Sequence, residues 1–127
     1  MIFGIGTDIV AYARIERLYE KYGTAFATKI LSQLELIELH THTQPARLLM
    51  KRFAAKEALA KAAGSGLRHP LSLCNISVVH DTLGKPVFVF AAELATHLAG
   101  LGVTGHHLSI SDEREHAVAF VILEKEF

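Results

Sequence analysis

The run Arg52-Phe53-Ala54-Ala55-Lys56-Glu57-Ala58-Leu59-Ala60-Lys61-Ala62, closed by Gly64-Ser65-Gly66, lies within a stretch that reads as one helix from Pro45 to Ala63. Proline fits a first helical turn because its missing N–H has no partner to lose, and Thr43 or Gln44 would precede it. Gly64 is the stop, since glycine enters the left-handed conformation without a Cβ clash. At about 100° per residue, Ala46, Met50, Phe53 and Glu57 fall on one stripe, with Lys61 close by. Leu48, Ala55, Leu59 and Ala62 fall almost opposite. A helix apolar on two sides is a buried central helix. Glu57 then points into packed surroundings, where a carboxylate needs a cation or several donors. Two readings follow: an ion pair with Lys61 four residues on, or a metal or phosphate site. The second requires another carboxylate and a phosphate cradle elsewhere in the chain.

With 127 residues, half of them apolar and a fifth charged, the sequence implies one globular domain spanning residues 1–127. A formal net charge of zero argues against a general nucleic-acid binder. Charge is nonetheless uneven. Between residues 45 and 70, Arg47, Lys51, Arg52, Lys56, Lys61 and Arg68 face a single acid, Glu57, which points to an anionic ligand. Cys74 is the sole cysteine, so no intrachain disulfide forms and a reducing compartment fits. Neither a signal peptide nor a membrane-spanning apolar run is expected, and the protein reads as soluble and cytoplasmic.

Ile2–Val10 reads as a strand with Gly4, Gly6 and Asp8 on one face, a bare patch where another backbone or a ligand can come close. Asp8 stands at its end, either as a ligand or as the cap of the next helix. That helix, Tyr12–Tyr22, turns Ile15, Leu18 and Tyr22 inward and sets Arg14, Arg17 and Lys21 in an outer row. Such a row is either a solvated face or a surface that steers an acidic partner. Ser32 and Glu35 have the spacing of a capping box and open a short helix to Leu39. Gly64-Ser65-Gly66, beside a basic helix, has the composition of a phosphate-wrapping loop. Strands follow at Asn75–His80 and Pro86–Ala91 around Asp81-Thr82-Leu83-Gly84, then a helix at Ala92–Ala99. His107–Ser111 and His116–Glu124 are the last strands, the second apolar enough to be central or covered on both faces. The fold class is α+β: a small, mainly antiparallel sheet of about five strands packed on a long central helix, with four helices in all.

Eight histidines do not make a zinc site, because no helical i, i+4 pair and no second thiolate accompany them. Cys74 reads as a core thiol. Asp8 and Glu57, a basic helix and a glycine loop remain, and carboxylate with phosphate oxygens are the usual partners of magnesium.

Gly4-Ile5-Gly6-Thr7-Asp8-Ile9-Val10, the central-helix motif with Lys61-Ala62 and Gly64-Ser65-Gly66, Gly84-Lys85-Pro86 and His107-Leu108-Ser109-Ile110-Ser111 together resemble the holo-acyl-carrier-protein synthase family from end to end. The resemblance implies a 4′-phosphopantetheinyl transferase fold and a homotrimer with active sites between subunits. It implies transfer of phosphopantetheine from coenzyme A to a serine of apo acyl carrier protein, releasing adenosine 3′,5′-bisphosphate. Asp8 and Glu57 would bind Mg²⁺, and Asp8, Glu57 and Lys61 would be the catalytic group, with Glu57 and Lys61 competing for the role of base. Arg52, Lys61, Ser65, Gly66, Lys85, Pro86, His107 and Ser109 would line the coenzyme A site. Arg14, Arg17 and Lys21 would face the carrier. Asp112 stands where many relatives carry histidine, and Ser65 where threonine is commoner. The rival readings are a Mg²⁺-dependent nucleotide pyrophosphatase and a non-catalytic coenzyme A-binding subunit.

Overall fold

The central helix, α4, runs from Pro45 to Ala63, the span its sequence implies, with Gly64 in the left-handed conformation behind it (φ 84°). The computed structural model describes every residue from Met1 to Phe127. Ahead of α4 come β1 (Ile2–Ala11), α1 (Tyr12–Tyr22), α2 (Thr24–Ile30) and α3 (Gln33–Thr41). After it come a 3₁₀ turn (Leu73–Asn75), β2 (Ile76–His80), β3 (Pro86–Phe90), α5 (Ala92–Gly100), β4 (Val103–Asp112) and β5 (His116–Lys125). The fold is α+β, with all strand pairs antiparallel. Its five strands divide into a three-stranded sheet, β1-β5-β4, and a β2-β3 hairpin.

Helix and sheet meet on very small side chains. Ala54, Ala55, Ala58 and Ala62 of α4 are buried, as are Ala117 and Ala119 of β5. Gly4 and Gly6 let β1 approach further still: a Cβ on either would run into a backbone carbonyl of α4, that of Ala62 or Ala58 respectively. The bare patch on β1 is thus filled by a helix backbone. β5 is central, as its composition implies, but it is covered on one face only. Ala117, Ala119, Val121 and Leu123 are buried beneath α4, whereas Val118 and Phe120 on the other face are exposed.

The other side of α4 carries an ionic core. Lys56 is fully buried and donates to Glu35 Oε1 (2.5 Å) and to the Ile30 and Leu73 carbonyls (2.7 and 2.9 Å). Glu35 closes the capping box expected at α3 and also accepts from the Val78 amide (2.9 Å), tying α3 to β2. Burial drives the Lys56 ammonium below its ordinary pKa, with Glu35 pulling it back.

Several expectations change here. Residues Thr24–Ile30 form a helix the sequence reading left out, so there are five α-helices. Tyr22 is exposed, and the inward face of α1 is carried by Ile15, with Tyr12 and Tyr19 against the core. Cys74 is exposed within the 3₁₀ turn and is not a core thiol. The basic run of residues 45–70 is mostly neutralised from within. Arg52 and Lys56 are buried against Glu35 and Glu38, Arg47 and Lys51 meet Asp112, and Lys61 meets Asp8.

Candidate functional site

Because Gly6 seats β1 on the Ala58 and Ala62 turns, Asp8 reaches α4 beside Lys61. Lys61 Nζ donates to Asp8 Oδ1 and to the Thr7 carbonyl, each at 3.0 Å. Lys61 is thereby committed to β1, and the ion pair with Glu57 four residues earlier does not form. Glu57 is half-buried with no cation in salt-bridge contact. Burial raises its carboxyl above the ordinary range, and the neighbouring Asp8 carboxylate raises it further; Lys61 and Arg14 counteract in part. Two carboxylates that repel each other, at the end of a strand and mid-helix, could be drawn together by a shared cation. Hard oxygens from two carboxylates, leaving the remaining positions to water and phosphate, match the way magnesium is usually held.

Arg14 lies with its guanidinium 5.9 Å from the Phe53 ring, so it borders this acidic pair. Arg17 and Lys21 continue along α1, exposed. Beside them Leu18, Tyr22, Ala25, Phe26 and Lys29 line an apolar groove between α1 and α2. The sequence reading missed the groove because α2 was not recognised.

Lys85, Pro86, His107 and Ser109 lie together in a cleft where β3 meets β4, lined also by Phe120 and Ile122. His107 pairs with Glu124, which holds the Glu124 carboxyl below its ordinary pKa. Glu124 was not singled out from sequence, although its outward position beside His107 follows from strand alternation and register.

Two expected contributors fit less well. Arg52 is turned into the ionic core instead: its side chain is buried and its Nη2 donates to both oxygens of Glu38 (3.0 Å each), which commits it to the fold rather than to a ligand. In the glycine loop, the Gly64 and Gly66 amides bond back to the Ala60 carbonyl (3.2 and 3.3 Å). Those amides cap the helix instead of wrapping a phosphate, leaving Ser65, exposed, with its hydroxyl on the Gly66 carbonyl.

The chain therefore carries a carboxylate pair with an ammonium in one place and, on the outer sheet face, a cleft bearing Lys85 and His107. The cleft contains none of Asp8, Glu57, Lys61, Ser65 or Gly66.

This fold is that of a phosphopantetheinyl-transfer enzyme: residues 4–121 match the family model described as the 4′-phosphopantetheinyl transferase superfamily. A holo-[acyl-carrier-protein] synthase of Nitrosospira multiformis is 61% identical over 125 residues, covering 98% of this chain and all of that one. The crystal structure of the holo-[acyl-carrier-protein] synthase of Neisseria meningitidis is 50% identical and superposes with a TM-score of 0.96 over 98% of this chain and 100% of that chain. That of Bacillus anthracis, in complex with coenzyme A (3′,5′-ADP), is 35% identical with a TM-score of 0.81 over 99% of both chains. The chain belongs to the holo-[acyl-carrier-protein] synthases of this superfamily.

Proposed function

We propose that this protein moves the 4′-phosphopantetheine group of coenzyme A onto a serine hydroxyl of an apo acyl carrier protein, in fatty-acid biosynthesis. The serine hydroxyl gives up its proton to a base of the Asp8–Glu57–Lys61 group as its oxygen bonds to the β-phosphorus; the pyrophosphate bridge breaks, and adenosine 3′,5′-bisphosphate leaves. The observation that carries this reading is the Asp8–Glu57–Lys61 juxtaposition in a chain that matches holo-[acyl-carrier-protein] synthases along its whole length.

Asp8 and Glu57 would hold Mg²⁺. When bound there, the metal supplies positive charge against the pyrophosphate. Lys61, steadied by Asp8 and Thr7, presents its ammonium to the same charge. Lys85, Pro86, His107 and Ser109 take the nucleotide end of coenzyme A, and Ser65 and Gly66 line the approach. Arg14, Arg17 and Lys21 steer an acidic carrier, and the groove of Leu18 and Phe26 offers it apolar contact.

The assembly is a homotrimer with sites between subunits, formed by single-domain chains of residues 1–127. The outer sheet face supports this. Ile5 (58% exposed), Ile9 (64%), Val118 (39%) and Phe120 (42%) form one apolar surface through the Ile5–Ile122, Thr7–Phe120 and Ile9–Val118 pairs. A sequence this apolar is built to be covered, and association covers it. It also supplies a reason for the cleft of Lys85 and His107 and the carboxylate pair to occupy separate parts of one chain: two subunits complete one site. No helix is long and apolar enough to cross a membrane, and the cytoplasm is where the reaction belongs.

Incubation with coenzyme A, Mg²⁺ and an apo acyl carrier protein, followed by intact mass spectrometry of the carrier, tests the activity. The carrier should gain one phosphopantetheine, and EDTA should prevent it. Cleavage of coenzyme A without that gain would mean hydrolysis instead. Asp8→Ala and Glu57→Ala should each abolish transfer in a folded protein.

A further inference from the structure

β3 and β4 lie side by side without pairing. β3 is bonded to β2 along one edge, and on its other edge the Phe88 amide donates to His106 Nε2 of β4 at 3.0 Å. The His106 ring also packs against the rings of Phe88 and Phe90, with centroids 5.3 and 5.6 Å away. An imidazole thus stands where a carbonyl of a paired strand would be. It satisfies the edge amide while keeping the strands a side chain apart. The cleft of Lys85, Pro86, His107 and Ser109 opens between these same two strands.

We propose that His106 is a positioning residue for this cleft: its neutral ring, accepting from the Phe88 amide, sets how far β3 stands from β4 and so aligns Lys85 and Pro86 with His107 and Ser109. The inference rests on the reading of the cleft as the coenzyme A site.

The geometry defines the tautomer. Nε2 accepts, so the neutral ring carries its proton on Nδ1. Protonation would set one N–H against another and release β3. Burial, reinforced by the neighbouring charge of His107, keeps the His106 pKa below its ordinary 6.5. The surroundings otherwise carry no charge. Phe90 of β3, Ala95, Leu98 and Ala99 of α5, and Val103, Thr104 and Gly105 of β4 complete the pocket, and β5 sets Leu123 across the ladder. Glu124, the next residue of β5, is occupied with His107. The latch is therefore closed at neutral pH and opens only on acidification past the range of an ordinary imidazole.

NMR titration of the full-length protein from about pH 8 to 5, with steady-state kinetics across the same range, tests this. The Phe88 amide should shift in step with the His106 ring nitrogens, and the KM for coenzyme A should rise about tenfold over that step while kcat stays within about twofold. His106→Leu should already show the raised KM at neutral pH and lose the step. His106→Gln, whose side-chain oxygen can accept the same bond, should keep the low KM and also lose the step. A Phe88 amide indifferent to His106, or a His106→Leu enzyme with the wild-type KM and pH profile, would overturn the proposal. Wild-type protein that binds no coenzyme A at any pH would instead overturn the reading of the cleft, and the amide titration alone would then decide whether the latch exists.

Discussion

Substituting Gly6 by alanine tests whether the contact between β1 and α4 assembles the carboxylate pair. A Cβ at Gly6 would fall within the envelope of the Ala58 carbonyl oxygen, 2.6 Å from the Ala62 nitrogen and 3.0 Å from Lys61 Cβ. Two of these obstacles are helix backbone, which cannot rotate aside. Strand and helix must therefore part by about 1 Å, in a core packed too tightly to absorb it. Overpacking of this kind costs about 1–3 kcal/mol, a fall of roughly 5–10 °C in Tm for a chain of this size. Asp8 is two residues along and moves with the strand, away from both Lys61, 3.0 Å distant, and Glu57. A displacement of about 1 Å between catalytic groups costs on the order of a hundredfold in rate. Expected for Gly6→Ala is a folded protein, verified by circular dichroism, whose transfer rate falls about a hundredfold at saturating coenzyme A and Mg²⁺. Gly100→Ala is the control, because a Cβ there meets nothing within 4 Å. Wild-type turnover and Tm in Gly6→Ala would refute the claim that close backbone approach builds the site.

Three further outcomes are expected. Lys56→Met leaves Arg52 as the one cation beside the buried Glu35 carboxylate and should cost about 3–5 kcal/mol; an unchanged urea midpoint would show the ionic core to be dispensable. Phe120→Asp places a charge in the exposed apolar sheet face and should give a monomer by light scattering that has lost transfer activity. A fully active monomer would remove the case for shared sites. Arg14→Glu with Arg17→Glu should raise the KM for the carrier at low salt, with the effect shrinking as salt is added; an unaltered KM would move the carrier surface off α1.

What could be read in advance and what could not divide along one physical line. Local signals were reliable. Pro45 and Gly64 mark both ends of α4, and Ser32 with Glu35 forms the capping box their spacing implies. Partner choice across the fold was not legible. Lys61 looked paired with Glu57 through helical spacing, but Gly4 and Gly6 bring Asp8 within reach instead. Lys56 and Arg52 looked like ligand-binding charges because their carboxylates lie in another helix, 21 and 14 residues away in sequence for the Lys56–Glu35 and Arg52–Glu38 pairs. Helix α2 was missed because its seven residues, Thr24–Ile30, are too few for a periodic pattern to emerge. β4 starts four residues before the expected His107, since Gly105 and His106 hid the alternation that its pairing with β5 supplies. For the site, the residues that the resemblance implied fall into two clusters, and only the fold shows that the clusters are apart.

The order of the strands also governs when the site can come into being. β1, with Asp8, begins the chain, yet its ladder partner is β5, so Ile2 aligns with Glu124 and Met1 exchanges backbone bonds with Lys125. Until His116–Lys125 has been synthesised, β1 has no strand beside it and β4 none to pair with. A nascent chain can hold Asp8, Glu57 and Lys61 and still have no sheet to hold β1 against α4. Closing so long a loop is the entropically expensive step of such a topology. Catalytic competence is thus withheld until the last strand arrives, and a ribosome-bound fragment lacking β5 should be inert toward coenzyme A and carrier alike.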